Sequence, residues 1–246
     1  MIAVTIATPD YANLANEQAF HFRKNSGLKT TVMLIGDGQD GYAAKLDLPN
    51  VFRSTRVVFF DADYRLLRPV SFDEFDDSEA IYGVHDGAAY DIHAFPNPDC
   101  KNLRIPKSKY INTGFFIINF TNWRHRKAFS IASQLLEDRK NGTLKIDDVT
   151  EQSMLNAGII RSGSKLIHMH PRWNFYPYSF HHGSIPEVPS NIIGVHAAGI
   201  SGVQNKADHL NAYSLVFGGE SYPRIKEATR SYNKWRNKNG TRNKSA

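Results

Sequence analysis

Residues 57–63 read Val-Val-Phe-Phe-Asp-Ala-Asp, an unbroken apolar run that stops at two carboxylates, Asp61 and Asp63. A strand of consecutive apolar residues has to be covered on both faces, as in largely parallel sheets flanked by helices. Such a sheet delivers whatever follows the strand to its C-terminal edge, where open α/β sheets bind ligands. Two hard oxygen donors at that edge can hold a divalent cation. Mg²⁺ or Mn²⁺ held by so few protein groups completes its shell with water and phosphate oxygens. The alternative is a polar turn that binds nothing.

The surrounding pattern agrees with an α/β sheet. Ile2–Ala7 reads as a buried strand, followed by the turn Thr8-Pro9-Asp10-Tyr11, where the Tyr11 ring is placed to stack on a flat ligand. Apolar side chains at Leu14, Ala15, Ala19 and Phe22 have helical spacing over 11–24, and Gly27 stops that helix. A second strand is expected over 30–35, and a short helix carrying Lys45 within 42–52. Alternation of this kind predicts right-handed crossovers and a mostly parallel sheet. Further on, 80–84 reads as a strand ending near Asp86, and 94–109 as a polar loop with three prolines. A strand over 110–120 is interrupted by Asn112-Thr113-Gly114, where a glycine signals a bulge or a close approach of backbone to something else. Residues 123–141 form the best amphipathic helix, stopped by Gly142, and 150–157 a second one preceded by Asp147 and Asp148, acids suited to a helix N-terminus. Short strands at Lys165–Met169 and 192–196 flank an aromatic loop.

Charge is distributed unevenly. The chain has 246 residues and a formal net charge of +6, yet 222–246 holds eight Lys or Arg against Glu227 alone, leaving −1 for the rest. The body is therefore not basic, and no specific nucleic-acid partner is expected. The tail suits an anionic surface, or is a solvated helix that frays. No apolar run nears the roughly 20 residues that span a bilayer. The N-terminus has no basic n-region, so a cytoplasmic protein is expected, with the tail able to hold it peripherally at a membrane. The single cysteine, Cys100, excludes an intrachain disulfide and a cysteine-rich zinc site.

The order of motifs carries more than any one of them: Asp61-Ala62-Asp63, then Asn112-Thr113-Gly114, Glu151-Gln152 with Leu155-Asn156, Trp173-Asn174, and His196-Ala197-Ala198-Gly199. This series resembles the GT-A nucleotide-sugar glycosyltransferases, most closely glycosyltransferase family 8, which includes glycogenin and bacterial lipopolysaccharide galactosyltransferases. The resemblance runs from Ile2 to about Lys206. It implies a single GT-A (Rossmann-like) α/β domain over 1–221, with a mixed, mostly parallel sheet flanked by helices and a basic C-terminal helix or tail over 222–246. It also implies a metal-dependent enzyme that moves a sugar from a nucleotide-diphosphate sugar, UDP-linked, to a hydroxyl of a glycan, lipid-glycan or protein acceptor, with retention. Asp61 and Asp63 resemble the DxD pair that binds Mn²⁺, with Mg²⁺ as the alternative ion, and His196 the third metal ligand. Thr8 and Tyr11 match the loop holding uracil and ribose, and Lys45 the lysine that approaches the donor. Asp86, Asn112 and Gly114 look like donor-sugar contacts, and Ala62, Asn174 and Gly199 fall at further donor-site positions. Glu151 and Gln152 match the Asp-Gln pair beside the reacting carbon.

The chain departs from the family at three places. Glu151 replaces the usual aspartate, one methylene longer. The phosphate-binding lysine expected six residues after His196 is Gly202, with Lys206 four residues further on. The stretch between the second strand and the metal loop is short. No nucleophile is decisive, which leaves inversion as the alternative to retention: Glu151, Asp147 and Asp148 could act as acid, base or nucleophile, or only cap a helix. His168 with His170, and His181 with His182, are rival metal donors. Trp173, Phe175, Tyr176 and Tyr178 are either an acceptor platform or core. Two other functions compete. A sugar nucleotidyltransferase would carry a Gly-rich basic loop after the first strand, which Thr8-Pro9-Asp10-Tyr11 is not. A non-catalytic glycan-binding module would not need Asp61, Asp63 and His196 to converge.

Overall fold

The computed structural model describes residues 1–86, 97–148, 150–176 and 191–218. The basic tail, the boundary at 221, and Tyr178, His181 and His182 lie outside the described residues. Six strands form the central sheet: β1 (Ile2–Ala7), β2 (Thr30–Leu34), β3 (Arg56–Phe60), β5 (Ala80–His85), β6 (Ile111–Asn119) and β7 (Lys165–Met169), in the order β2-β1-β3-β6-β5-β7. All neighbours are parallel except at β6, which runs antiparallel to both β3 and β5. A small second sheet pairs β4 (Tyr64–Leu66) with β8 (Gly194–His196), antiparallel. The fold is α/β with a mixed, mostly parallel sheet, as the family resemblance implies.

Helices cover both faces. Along β3, Val57 and Phe59 enter one core cluster with Phe116, Ile118, Leu46 and Phe129; Val58 and Phe60 enter another with Phe115, Ile117, Phe22 and Trp173. Successive side chains on a strand point to opposite faces, so an unbroken apolar run is what a strand buried on both sides requires. The first cluster packs under α2 (Gly41–Leu46), α3 (Leu48–Val51), α5 (Trp123–Lys140) and α6 (Gln152–Arg161). The second packs under α1 (Ala12–Ser26), which Gly27 ends in the left-handed conformation at φ 70°. Phe22 stacks on Phe60 there, centroids 4.4 Å apart.

Several elements differ from the sequence expectation. Residues 97–103, read as loop, form α4 (Asn97–Leu103), which buries Cys100. Burial pushes the Cys100 thiol pKa up, away from the thiolate that a nucleophile needs. β6 is one strand over Ile111–Asn119 with every residue buried, but its pairing with β5 shifts register between Gly83↔Phe116 and His85↔Ile111, so the irregularity expected at Asn112-Thr113-Gly114 is present. Trp173, Phe175 and Tyr176 are core, not an acceptor platform, each 6% exposed or less. β4 and a long helix, α7 (Val203–Phe217), had no counterpart in the pattern. No helix among the described residues is long and apolar enough to cross a membrane.

Candidate active site

The site forms where β3 ends. The chain turns at Asp61, whose N–H donates to the Gly114 carbonyl at 2.8 Å and whose carbonyl accepts from Tyr64 N–H at 2.9 Å. Tyr64 then pairs with His196 across β4 and β8, and Ala197 N–H donates to the Asp63 carbonyl at 3.0 Å. These bonds bring together residues more than 130 positions apart. His196 Nε2 lies 3.1 Å from Asp63 Oδ1 and 3.6 Å from Asp61 Oδ2. Each of the three offers a ligand atom, all within 4.8 Å of one another, and no other such group of three occurs among the described residues. His168 instead packs against His85, centroids 5.0 Å apart.

Gly114 accounts for the tightness of this cluster. A Cβ there would overlap His196 Cε1 and come within 2.9 Å of Asp61 Oδ2. The glycine within the β6 pattern therefore marks a close approach, as expected, and what approaches is the candidate metal site. His196 Nδ1 is buried and has no hydrogen-bond partner among the described residues. The ring is held by packing against the Gly114 backbone and beside Tyr64, with Nε2 turned to the carboxylates. Two carboxylate oxygens and an imidazole nitrogen fit Mn²⁺ better than Mg²⁺, which prefers oxygen alone.

Two lysines flank the acids. Lys45 on α2 is buried, with Nζ 2.9 Å from Asp61 Oδ1, 2.6 Å from Glu151 Oε1 and 3.4 Å from the Thr113 carbonyl. Burial alone would lower its pKa, but Asp61 and Glu151 more than reverse this and keep the ammonium charged. Lys206 on α7 pairs with Asp63. Its pKa is also raised, burial being outweighed by Asp63. Burial would raise the Asp63 carboxyl in turn, but His196 and Lys206 hold it well below the usual carboxylate range.

A cavity of about 470 Å³ opens over these groups. Thr8, Tyr11, Lys45, Asp61, Ala62 and Asp63 line it, as do Asn112, Gly114, Glu151, Gln152, His196 and Gly199. Three predicted positions are not brought to its wall. Asp86 lies behind Gln152, accepting from its Nε2 at 2.7 Å and from the Tyr176 hydroxyl. Asn174 lies behind Asn112, donating from Nδ2 to its Oδ1 at 2.8 Å. Asp148, a candidate for the chemistry, is a helix cap instead: Oδ2 accepts from Ser153 N–H at 2.8 Å and Oδ1 from Thr150. Glu151 is 1% exposed, and its Oε1 accepts from Lys45 and from the Thr113 hydroxyl at 2.9 Å. Gln152 Oε1 accepts from Thr113 N–H at 3.0 Å.

Tyr42 and Thr113 also line the cavity and were given no role from the sequence, and Lys206, four residues past the position where a phosphate-binding lysine was expected, lines it too. Tyr42 stands three residues before Lys45 on α2, a spacing that puts both on one helix face. Lys206 reaches the metal loop because the unforeseen helix α7 returns it to Asp63.

An α/β sheet of this order, with an acid pair after β3 and a histidine of β8 brought beside it, is the arrangement of GT-A glycosyltransferases. A family description, glycosyl transferase family 8, matches residues 43–201, and the chain belongs to that family. Two solved structures share the fold. One is a glycosyltransferase involved in the glycosylation of the major capsid of PBCV-1: TM-score 0.57, 14% identity, covering 86% of this chain and 99% of that one. The other is the apo structure of the bifunctional glycosyltransferase WbbM, with TM-score 0.57, 12% identity, and coverage of 94% of this chain and 51% of that one. No curated protein matches the chain.

Proposed function

We propose that this glycosyltransferase is Mn²⁺-dependent, takes a UDP-linked hexose as donor and transfers it with retention to a hydroxyl of a glycan, lipid-glycan or protein. The observation that carries the reading is the convergence of Asp61, Asp63 and His196 on one point of the cavity, between two charged lysines. Held by those three ligands, Mn²⁺ would stabilise the negative charge that grows on the departing diphosphate.

The chain's own groups supply the rest. Thr8 and Tyr11 on the loop after β1 form the wall for the uracil and ribose. Lys206, at the edge of the same cavity, is a cation within reach of phosphate once it leaves Asp63. Lys45 is fixed between Asp61 and Glu151, so it orients the first metal ligand and holds positive charge beside the donor. Glu151 balances that lysine and is buried, which favours a charge-fixing role over that of a nucleophile. Gln152, held by Asp86 and by the Thr113 amide, presents a fixed amide edge to the sugar. With neither side chain free to attack, the reading favours entry of the acceptor hydroxyl on the face the diphosphate leaves.

The test is turnover of a UDP-hexose, by transfer or by slow hydrolysis, in Asp61→Ala and Asp63→Ala. Each is expected to lose Mn²⁺-dependent turnover by at least about a hundredfold, the scale for removing a fixed electrostatic stabiliser, with cooperative unfolding retained. Near-normal turnover in either variant contradicts the metal assignment.

A further inference from the structure

A second groove, of about 970 Å³, lies at the opposite end of the sheet. β3 and β6 pair from Arg56↔Asn119 at one end to Phe60↔Phe115 at the other, and the catalytic cavity follows Phe60. The groove is built from the segments at the Arg56↔Asn119 end: α3 and the Arg53-Ser54 turn before β3, and the first turns of α5 after β6. It shares no lining residue with the catalytic cavity.

Its chemistry is specific. Arg53, Arg126 and Lys127 line it against one acid, Asp47, whose carboxylate already accepts from Asn50. Arg126 is fixed in place by donating from Nη1 to the Phe120 carbonyl at 2.6 Å and the Thr121 carbonyl at 3.0 Å. Trp123 is 55% exposed, with the Arg124 guanidinium 5.3 Å and the Lys127 ammonium 5.7 Å from its ring centroid. Leu46, Pro49 and Phe129, also in the lining, are buried. Trp123 is therefore the large apolar surface the groove offers, and Ser54, Ser130 and Ser133 add hydroxyls.

We propose that this groove is a second, non-catalytic site for an anionic oligosaccharide. A pyranose ring has an apolar C–H face that suits an exposed indole, hydroxyls that suit serines, and, in an acidic sugar, a carboxylate or ester anion that suits the anchored Arg126 with the exposed Arg53 and Lys127 beside it. A protein partner would need a larger apolar centre than one indole. A nucleic acid would need a longer cationic track with several stacking rings. In an enzyme that builds glycans, such a site holds the substrate chain away from the reacting end and raises its effective concentration there.

The experiment is calorimetric titration of the full chain with a short oligogalacturonate. A neutral malto-oligosaccharide of the same length and a thymidylate oligonucleotide serve as comparators. Trp123→Ala and the double variant Arg53→Ala/Lys127→Ala are titrated in parallel, with UDP and Mn²⁺ as a separate check of the catalytic cavity. The galacturonate is expected to bind, the neutral sugar to bind at least about tenfold more weakly, and each variant to lose about tenfold, the effect of truncating a principal contact. UDP binding is expected to stay unchanged in both variants, so failure of the donor-site reading would show separately. Galacturonate affinity unchanged in the variants would assign the binding to the basic tail and overturn the proposal. Equal affinity for the neutral sugar, no binding at all, or tighter oligonucleotide binding weakened by the same variants would each overturn it too.

Discussion

A methyl group at Gly114 would occupy space that the His196 ring already fills, so this strand glycine sets how closely the imidazole can approach Asp61 and Asp63. Gly114→Ala must push the ring or shift β6, and among the described residues none hydrogen-bonds Nδ1 to hold the ring. The expected outcome is a loss of Mn²⁺ affinity of at least about tenfold, or about 1.4 kcal/mol, with cooperative unfolding retained. Metal titration followed by calorimetry checks it, and unchanged affinity would contradict the packing argument. At this scale the acids and the histidine were legible in the sequence, because a carboxylate pair after a buried strand and a distant His-x-x-Gly form a recognisable order. Asp148 was not: an acid before a helix reads alike as a catalyst or a cap, and only its bonds to Ser153 and Thr150 decide. Lys206 was legible only as a displaced counterpart of an expected lysine, because its place depends on an element with little local signature.

That element, α7, shows why some of the structure left no mark on the sequence. Its buried side chains, Leu210, Tyr213 and Phe217, have helical spacing, but the helix opens with the polar run Gln204-Asn205-Lys206. Its stability comes from docking. Arg65 of β4, buried, donates from Nε to Gln18 of α1 at 2.8 Å, from Nη1 to Asn211 at 2.8 Å and Ser214 at 3.2 Å of α7, and pairs with Glu17 of α1. β4 is itself only three residues long and pairs with a strand far along the chain, so no local pattern announces it. By contrast β1, β3, α1 and α5 carry their own periodicity and were legible within a few residues. Arg65→Met would strand the buried Gln18 and release α7 from α1. A cost of about 1–3 kcal/mol is expected, read as a lower urea midpoint at unchanged slope, with faster amide exchange along α7. A variant that keeps both the midpoint and the exchange protection would show that α7 docks without this network.

For the whole molecule, burial is the largest cause holding His21, His125, His168 and His209 below the ordinary value of 6.5. The unfolded chain then binds more protons than the folded one once pH falls to about 6.5, so stability present above that pH is lost on acidification. In EDTA the urea midpoint is expected to fall between about pH 7 and pH 5; a flat or rising midpoint would contradict the burial of these rings. Asp40, Asp63 and Asp77 have depressed values, so their contribution is lost only at lower pH, below the ordinary carboxylate value of 3.8. A mostly parallel sheet was legible from alternating strands and helices, whereas the strand order and the antiparallel insertion of β6 were not, since both are set by tertiary pairing. The central claim is that Asp61, Asp63 and His196 make this a metal-bound UDP site. Its most direct test is calorimetric titration of UDP into the protein with Mn²⁺ and again with EDTA, with GDP as the comparator. UDP is expected to bind with Mn²⁺, to lose that binding in EDTA, and to outcompete GDP; UDP binding that EDTA leaves intact, or no binding of either nucleotide, would contradict the account.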